Sequence, residues 1–214
     1  MEISWLGHSC FRLRSNETVI VTDPFPASLG LTPDTRPATV VTVSNNHPNH
    51  SYWEGVPGDA RVFAAPGEYE YAGISVRGVM TPLSERMGQE QRNVAYSMEI
   101  EGINICHLGD ITEPLSARHI SDLSPVDVLL MPAGGGCTLA VDRLLQTMRD
   151  LDPKLVIPMH FKVPGIPLEL ESIDVFLRLM GSGETQPQPR LTVTISNLPQ
   201  DLRVSVLAPQ ARPA

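Results

Sequence analysis

The sequence predicts an α/β protein in which two mixed β-sheets pack face to face with helices on the outer faces. Three observations carry this reading. The first half is a succession of short, β-branched apolar runs separated by polar turns. The second half alternates buried apolar runs with amphipathic helical stretches. No internal repeat, low-complexity tract or linker divides the chain, so residues 1–214 are expected to form a single domain.

The elements follow in order. "EISWLGH", "CFRLRS" and "TVIVTD" read as strands, the last split off by "SNE" as a hairpin would be. After Asp23 comes "PFPASLGLTPDTRPA", too Pro-rich and irregular for a helix. "TVVTV" is short and β-branched, hence a strand. "RVFAA", "ISVRGVM", "VAYSMEI" and "INICHL" follow, with Pro66–Gly67, Ala72–Gly73 and Glu101–Gly102 as turn signals. A short helix is expected near residues 114–121. "DVLLMP" reads as a buried strand ending in the turn "AGGGC". Over residues 139–151, Ala140, Leu144, Leu145, Met148 and Leu151 share one helical face, opposite Asp142, Arg143, Arg149 and Asp150. "KLVIPMH" is a further buried strand. Ile173, Phe176, Leu177 and Met180 mark another amphipathic helix, with Gly181 placed to end it. "RLTVTIS" and "LRVSVLA" are expected as closing strands, and "PQARPA" as a frayed tail.

With 42% apolar and 19% charged residues the composition is that of a globular chain rather than a disordered one. A net charge of -8 and the lack of a dense Lys/Arg cluster argue against nucleic acid as a partner. No apolar window approaches the ~18 residues of a membrane span, and "MEISWLGHSC" carries no cationic leader. The three cysteines are an odd set without close pairing. A cytoplasmic protein with a small-molecule substrate or ligand is therefore expected; the sequence carries no sign of oligomeric state.

Most of the histidines follow or end an apolar run. His8 follows "ISWLG", His47 and His50 follow "TVVTV", His107 and Asp110 follow "INIC", and His160 ends "KLVIPM". Ligands supplied from the ends of several strands are how a rigid sheet presents a metal to a cleft, and His with carboxylate suits Zn²⁺ and related ions. Each residue also has a plain structural reading: a strand-end His can be hydrogen-bonded scaffold, and Asp110 in "LGDIT" can cap a turn or the following helix.

"ISWLGHSCFRL", "IVTDPF", "APGEYEYAGISVRGV", "ICHLGDIT", "DVLLMPAGGG" and "VIPMHF", in this order, resemble stretches of the metallo-β-lactamase superfamily, in particular its small bacterial Zn-dependent hydrolases similar to the ascorbate-6-phosphate lactonase. The resemblance runs over residues 1–180. It implies an αββα sandwich with a dinuclear metal cleft along one sheet edge, where a carbonyl or phosphorus centre is hydrolysed. Lactone, ester, amide and phosphodiester hydrolysis fit such a fold equally well.

The carry-over of the family's site is partial. Against its loop His-x-His-x-Asp-His, "NNHPNH" holds Asn45 and His47 at the two His positions, Asn49 at the Asp and His50 at the last His. The next family His falls on Leu83 in "TPLSER". The bridging Asp fits Asp110 and the final His fits His160. The metal pocket that positions 45, 47 and 83 would build is left with His47 alone, because leucine donates nothing and an amide oxygen is a poor substitute for imidazole. Asn49 cannot act as a base. Dinuclear zinc is therefore not expected, and His50, Asp110 and His160, with His47 or Asn49 nearby, are the candidates to hold one divalent metal (Zn, or Mn or Fe).

Three outcomes stay open: a mononuclear hydrolase with Asp110 and His50 at the reacting centre, a metal-free relative whose cleft binds a small molecule, and a purely structural site. His8, Asp23 and His107 are expected to brace the site, Asp23 by orienting a ligand His. His119 is read as surface. "AGGGC" lacks the Lys-Ser/Thr ending of a P-loop and reads as a strand-to-helix turn. Neither Cys106 nor Cys137 has a His at a recognisable activating spacing, so no cysteine nucleophile is expected.

Overall fold

β1 (Glu2–Gly7), β2 (Cys10–Ser15) and β3 (Thr18–Thr22) form an antiparallel meander, joined by turns just long enough to reverse the chain. In the computed structural model, which describes residues 1–82 and 92–214, this meander continues through parallel pairing with β4 (Val40–Thr42) and β5 (Arg61–Phe63). β12 (Leu191–Thr192) closes the other edge against β1.

The second sheet mirrors this division. β6 (Gly67–Tyr71), β7 (Ile74–Pro82), β8 (Arg92–Ile100) and β9 (Ile103–His107) are antiparallel. β9, β10 (Val128–Pro132), β11 (Leu155–Met159) and β13 (Arg203–Val204) are parallel. β10 and β11 are buried along their whole length, as expected of parallel strands covered on both faces. The helices are few: α1 (Ala117–Leu123), α2 (Val141–Leu151) and α3 (Ile173–Leu179). α1 packs on β7 and β8, and α2 touches both α1 and α3. Trp5, Phe11, Tyr96 and Phe176 are among the largest side chains fully enclosed in the core.

The strand pairings have one consequence for function. β1, β3, β4, β9, β10 and β11 leave their sheets at the same edge of the sandwich, because each runs parallel to its fellows or is two antiparallel steps away. The residues that follow these strands therefore converge.

Several expectations need correction. "GEYEY", which lies between the turn signals Pro66–Gly67 and Ala72–Gly73 and carries no strand expectation, is the edge strand β6; it buries no face, so it has no apolar alternation to show. "RLTVTIS" and "LRVSVLA" yield only two-residue strands, the former giving way to a 3-10 turn at Ile195–Asn197 capped by Thr194. The tail is tied down: Gln210 and Ala211 donate to the carbonyls of Trp5 and Leu6, and Ala214 donates to Gly30. Among the described residues no helix is long and apolar enough to cross a membrane.

Candidate metal centre

The converging strand ends build a cleft of about 340 Å³ lined by His8, Asn45, His47, Asn49, His50, Asp110, Cys137, His160 and the segment Leu168–Leu170. On its floor one ring nitrogen each from His8, His50 and His160 lie within 4.8 Å of one another, all three residues buried. His8 Nε2 is 3.1 Å from His50 Nε2. Asp110 touches two of the rings, with Oδ2 3.0 Å from His50 Nε2 and Oδ1 3.4 Å from His160 Nε2.

The backbone is bent to make this happen. His8, Asp23 and His160 are non-glycine residues with φ of 51°, 39° and 52°. A left-handed conformation costs a residue with a Cβ on the order of 1 kcal/mol or more, and such strain collects where function requires it. The two sheets are sewn together at the same point. The carbonyl of His8, after β1, accepts hydrogen bonds from the His160 backbone N–H at 3.0 Å and from Trp5 Nε1 at 2.9 Å.

A second layer holds the rings in orientation. His50 Nδ1 donates to Asp23 Oδ2 at 2.9 Å, which turns Nε2 toward the cluster. Asp23 is itself fixed by the backbone N–H and hydroxyl of Ser44, at 2.7 and 2.6 Å. This carboxylate–imidazole pairing is the usual support of a metal-binding histidine. Asn93, at the start of β8, accepts from the Asp110 N–H through Oδ1 at 2.9 Å and donates through Nδ2 to Thr81 and to the Leu108 carbonyl. His107 is fully buried and donates from Nε2 to the Ser9 carbonyl at 2.9 Å, beside His8.

Charge follows from this packing. Burial disfavours protonation of His50, but Asp110 and Asp23 outweigh it and hold its pKa at about 10. Burial likewise opposes ionisation of Asp110, yet His50, His160 and His8 around it keep its carboxyl well below the usual range. His8 is pushed down by burial and by the neighbouring imidazoles. Burial works against the charged form of His160 too, and Asp110 raises it.

The donor set fits one divalent ion. Imidazole nitrogens about 2.1 Å from a tetrahedral ion lie roughly 3.4 Å apart, close to the spacing on this floor. Oδ1 of Asp110 is buried, makes no hydrogen bond and stands 3.4 Å from His160 Nε2. The expected and observed sets differ. His8, expected to brace, stands in the three-nitrogen cluster. His47 lines the cleft above it, its ring centroid 6.2 Å from that of His50 and its Nδ1 accepting from the Asn49 N–H. Asn45 has its amide turned to the loop, donating to Ser44 and accepting from the His47 N–H. Asn49 is half-buried on the cleft wall, and Leu83 lies outside the described residues. His119 lies at the partly exposed start of α1, its Nδ1 accepting from the Ser116 N–H in the cap.

Three contributors were invisible to spacing. Asn93 and Ser44 act through hydrogen bonds that cross between distant strands. Cys137 Sγ stands 3.8 Å from His160 Nε2, although the residues are 23 apart in the chain. Cys10 and Cys106 are buried, and burial pushes the Cys106 thiol up to about 12.

Comparison with known proteins agrees with this fold. Residues 2–160 match the family described as the beta-lactamase superfamily domain. A Thermotoga maritima protein of the metallo-β-lactamase superfamily, proposed to be a Zn-dependent hydrolase, superposes with a TM-score of 0.80 at 32% identity over 96% of this chain and 97% of its own. The UPF0173 metal-dependent hydrolase of Methanoculleus marisnigri is 28% identical over 80% of this chain and 86% of its own length. A metallo hydrolase from Ignicoccus hospitalis shares the fold at 18% identity, with a TM-score of 0.63 over 90% of this chain and 99% of its own. The chain belongs to the metallo-β-lactamase superfamily.

Proposed function

We propose that the chain is a hydrolase that holds one divalent ion, zinc before manganese or iron, among His8, His50, His160 and Asp110, and that it acts on a small, uncharged acyl substrate such as a lactone or ester. The observation that carries this is the cluster of three buried imidazole nitrogens with the Asp110 carboxylate against it. Bound there, a divalent ion would supply Lewis acidity toward a carbonyl oxygen and ionise water near neutral pH. Asp23 fixes the tautomer of His50; Asn93 fixes Asp110; the inter-sheet bond between His8 and His160 keeps both rings on the floor. Asp110 and His50 serve the reaction as ligands, and His107 supports the backbone beside His8.

One ion rather than two is favoured because Asn45 is committed to its loop and Asn49 offers only a neutral amide. Among the described residues the cleft is lined by the carboxylates of Asp110 and Glu169 and by no Lys or Arg. That supports a neutral substrate over a phosphodiester, over nucleic acid, and over the phosphorylated lactone of the finer family resemblance. Three cysteines, each on a different strand or loop, are in keeping with a reducing, cytoplasmic setting.

Elemental analysis of tag-free protein prepared without chelator tests the reading, with His160→Ala alongside. About one equivalent in the parent, almost none in the variant, and chelator-sensitive hydrolysis of lactones or esters are expected. No metal uptake by the parent after incubation with zinc, manganese and iron(II) would sink it. A second reading has its own observation: His50, protonated between Asp23 and Asp110, satisfies the site internally without an ion. It describes a catalytically silent binding module, indifferent to chelator.

A further inference from the structure

Cys137 lies in the Gly-rich turn after β10, and its geometry is tied to His160 rather than incidental to it. Ala133 donates to the Met159 carbonyl at 2.8 Å, continuing the β10–β11 pairing past the strand ends. At Gly134 the chain runs so close to the His160 backbone that a Cβ would stand 2.3 Å from the His160 carbonyl oxygen. Glu171 donates to the Gly134 carbonyl at 2.8 Å from the other side, and Thr138 closes the turn onto the Gly135 carbonyl. Gly135 and Gly136 take φ of 54° and 64°, reversing the chain so that residue 137 returns to the cleft. The thiol is thereby delivered 3.8 Å from His160 Nε2, on the wall shared with His8, His47, His50 and Asp110. Cys137 is half-buried, unlike the enclosed Cys10 and Cys106. Asp110 Oδ1, buried and making no hydrogen bond, stands 3.4 Å from the same His160 Nε2.

We propose that Cys137 is a thiolate ligand of the metal centre, beside His160, supplying the second anionic donor that Asn49 cannot. The proposal rests on the reading that the cluster holds a divalent ion. On binding, the S–H bond gives way to a sulfur–metal bond and its proton passes to solvent. With Asp110 the thiolate balances the charge of a divalent ion, and sulfur directs the site toward zinc and cobalt and away from manganese and magnesium.

The test is a cobalt(II) titration of metal-free parent, Cys137→Ser and Cys137→Ala, all checked for native circular dichroism, with zinc and manganese affinities measured by chelator competition. The parent is expected to develop both visible ligand-field bands and a near-ultraviolet thiolate-to-cobalt charge-transfer band at one equivalent. Both variants should keep the visible bands, lose the near-ultraviolet band and bind zinc at least about tenfold more weakly, with manganese affinity little changed. Visible bands without the near-ultraviolet band in the parent, or the same near-ultraviolet band in the variants, would overturn the thiolate assignment and leave the metal-centre reading standing. No cobalt signal of any kind in the parent would overturn both.

Discussion

His50 is gripped at both ring nitrogens, by Asp23 on one side and by His8 and Asp110 on the other. Only the Asp23 contact is free of the ion, so it can be altered without removing a ligand. Asp23→Asn exchanges a carboxylate, which can only accept, for an amide that can also donate to Nδ1 and reverse the ring tautomer. Metal affinity should fall about 10- to 100-fold, as it does when such supports are removed elsewhere, while the fold survives. Chelator competition reads this directly, and equal affinities for parent and variant would show that Asp23 is scaffold alone. His8, His50, Asp110 and His160 were legible as candidates because each follows or ends a strand-like run, and Asp23 through the family resemblance. That His8 belongs in the cluster was not legible, since its neighbours there lie 42 and more residues away and only the strand order brings them together. The role of Asn93 was equally hidden, because the Asp110 N–H, the Leu108 carbonyl and the Thr81 hydroxyl meet it only in the folded chain.

At the scale of elements, the seam between the sheets is set by backbone that tolerates no side chain. Gly109, just before Asp110, has φ of 62°, and a Cβ there would stand 2.3 Å from Asn93 Oδ1 and 2.6 Å from Ser44 Cβ. Ser44 follows β4 of one sheet and Asn93 opens β8 of the other, so the glycine lies where they meet. Gly73, in the β6–β7 turn, has φ of 76° with nothing within 4 Å of the same position. Both carry the left-handed strain, on the order of 1 kcal/mol, but only Gly109 adds a collision. Gly73→Ala should lower Tm by roughly 2–4 °C, the scale for a chain of this size. Gly109→Ala should cost several-fold more and weaken metal binding by displacing Asn93 from the Asp110 N–H. Equal melting temperatures for the two variants would contradict the packing argument. The strands themselves were readable from β-branched runs and the helices from their periodicity. β6 escaped because it is an exposed edge, and the C-terminal strands are shorter than their apolar runs because Thr194 and the pinned tail turn the chain away.

Across the whole molecule, the site places several titratable groups in the interior, and their signs set how stability depends on pH once metal is removed. Burial depresses the pKa of His107 below its ordinary 6.5, with Asp23 and the Ser9 carbonyl opposing only in part. Below 6.5 the unfolded chain therefore takes up a proton that the native chain resists, so this contribution is present above 6.5 and lost as pH falls. His8 has the same sign. His50 has the opposite one: held at about 10, it contributes fully below 6.5 and loses that contribution as pH rises toward 10. Stability of the metal-free chain should thus decline on both sides of neutrality. His107→Gln removes a titrating group while keeping an N–H that can reach toward Ser9. Urea unfolding at pH 8 should find the variant less stable by about 1–3 kcal/mol, the scale of a disturbed buried hydrogen bond, and the deficit should narrow steadily toward pH 5. Parallel stability curves for parent and variant between pH 8 and pH 5 would mean that His107 is not held neutral by its burial, and that the acid limb arises elsewhere.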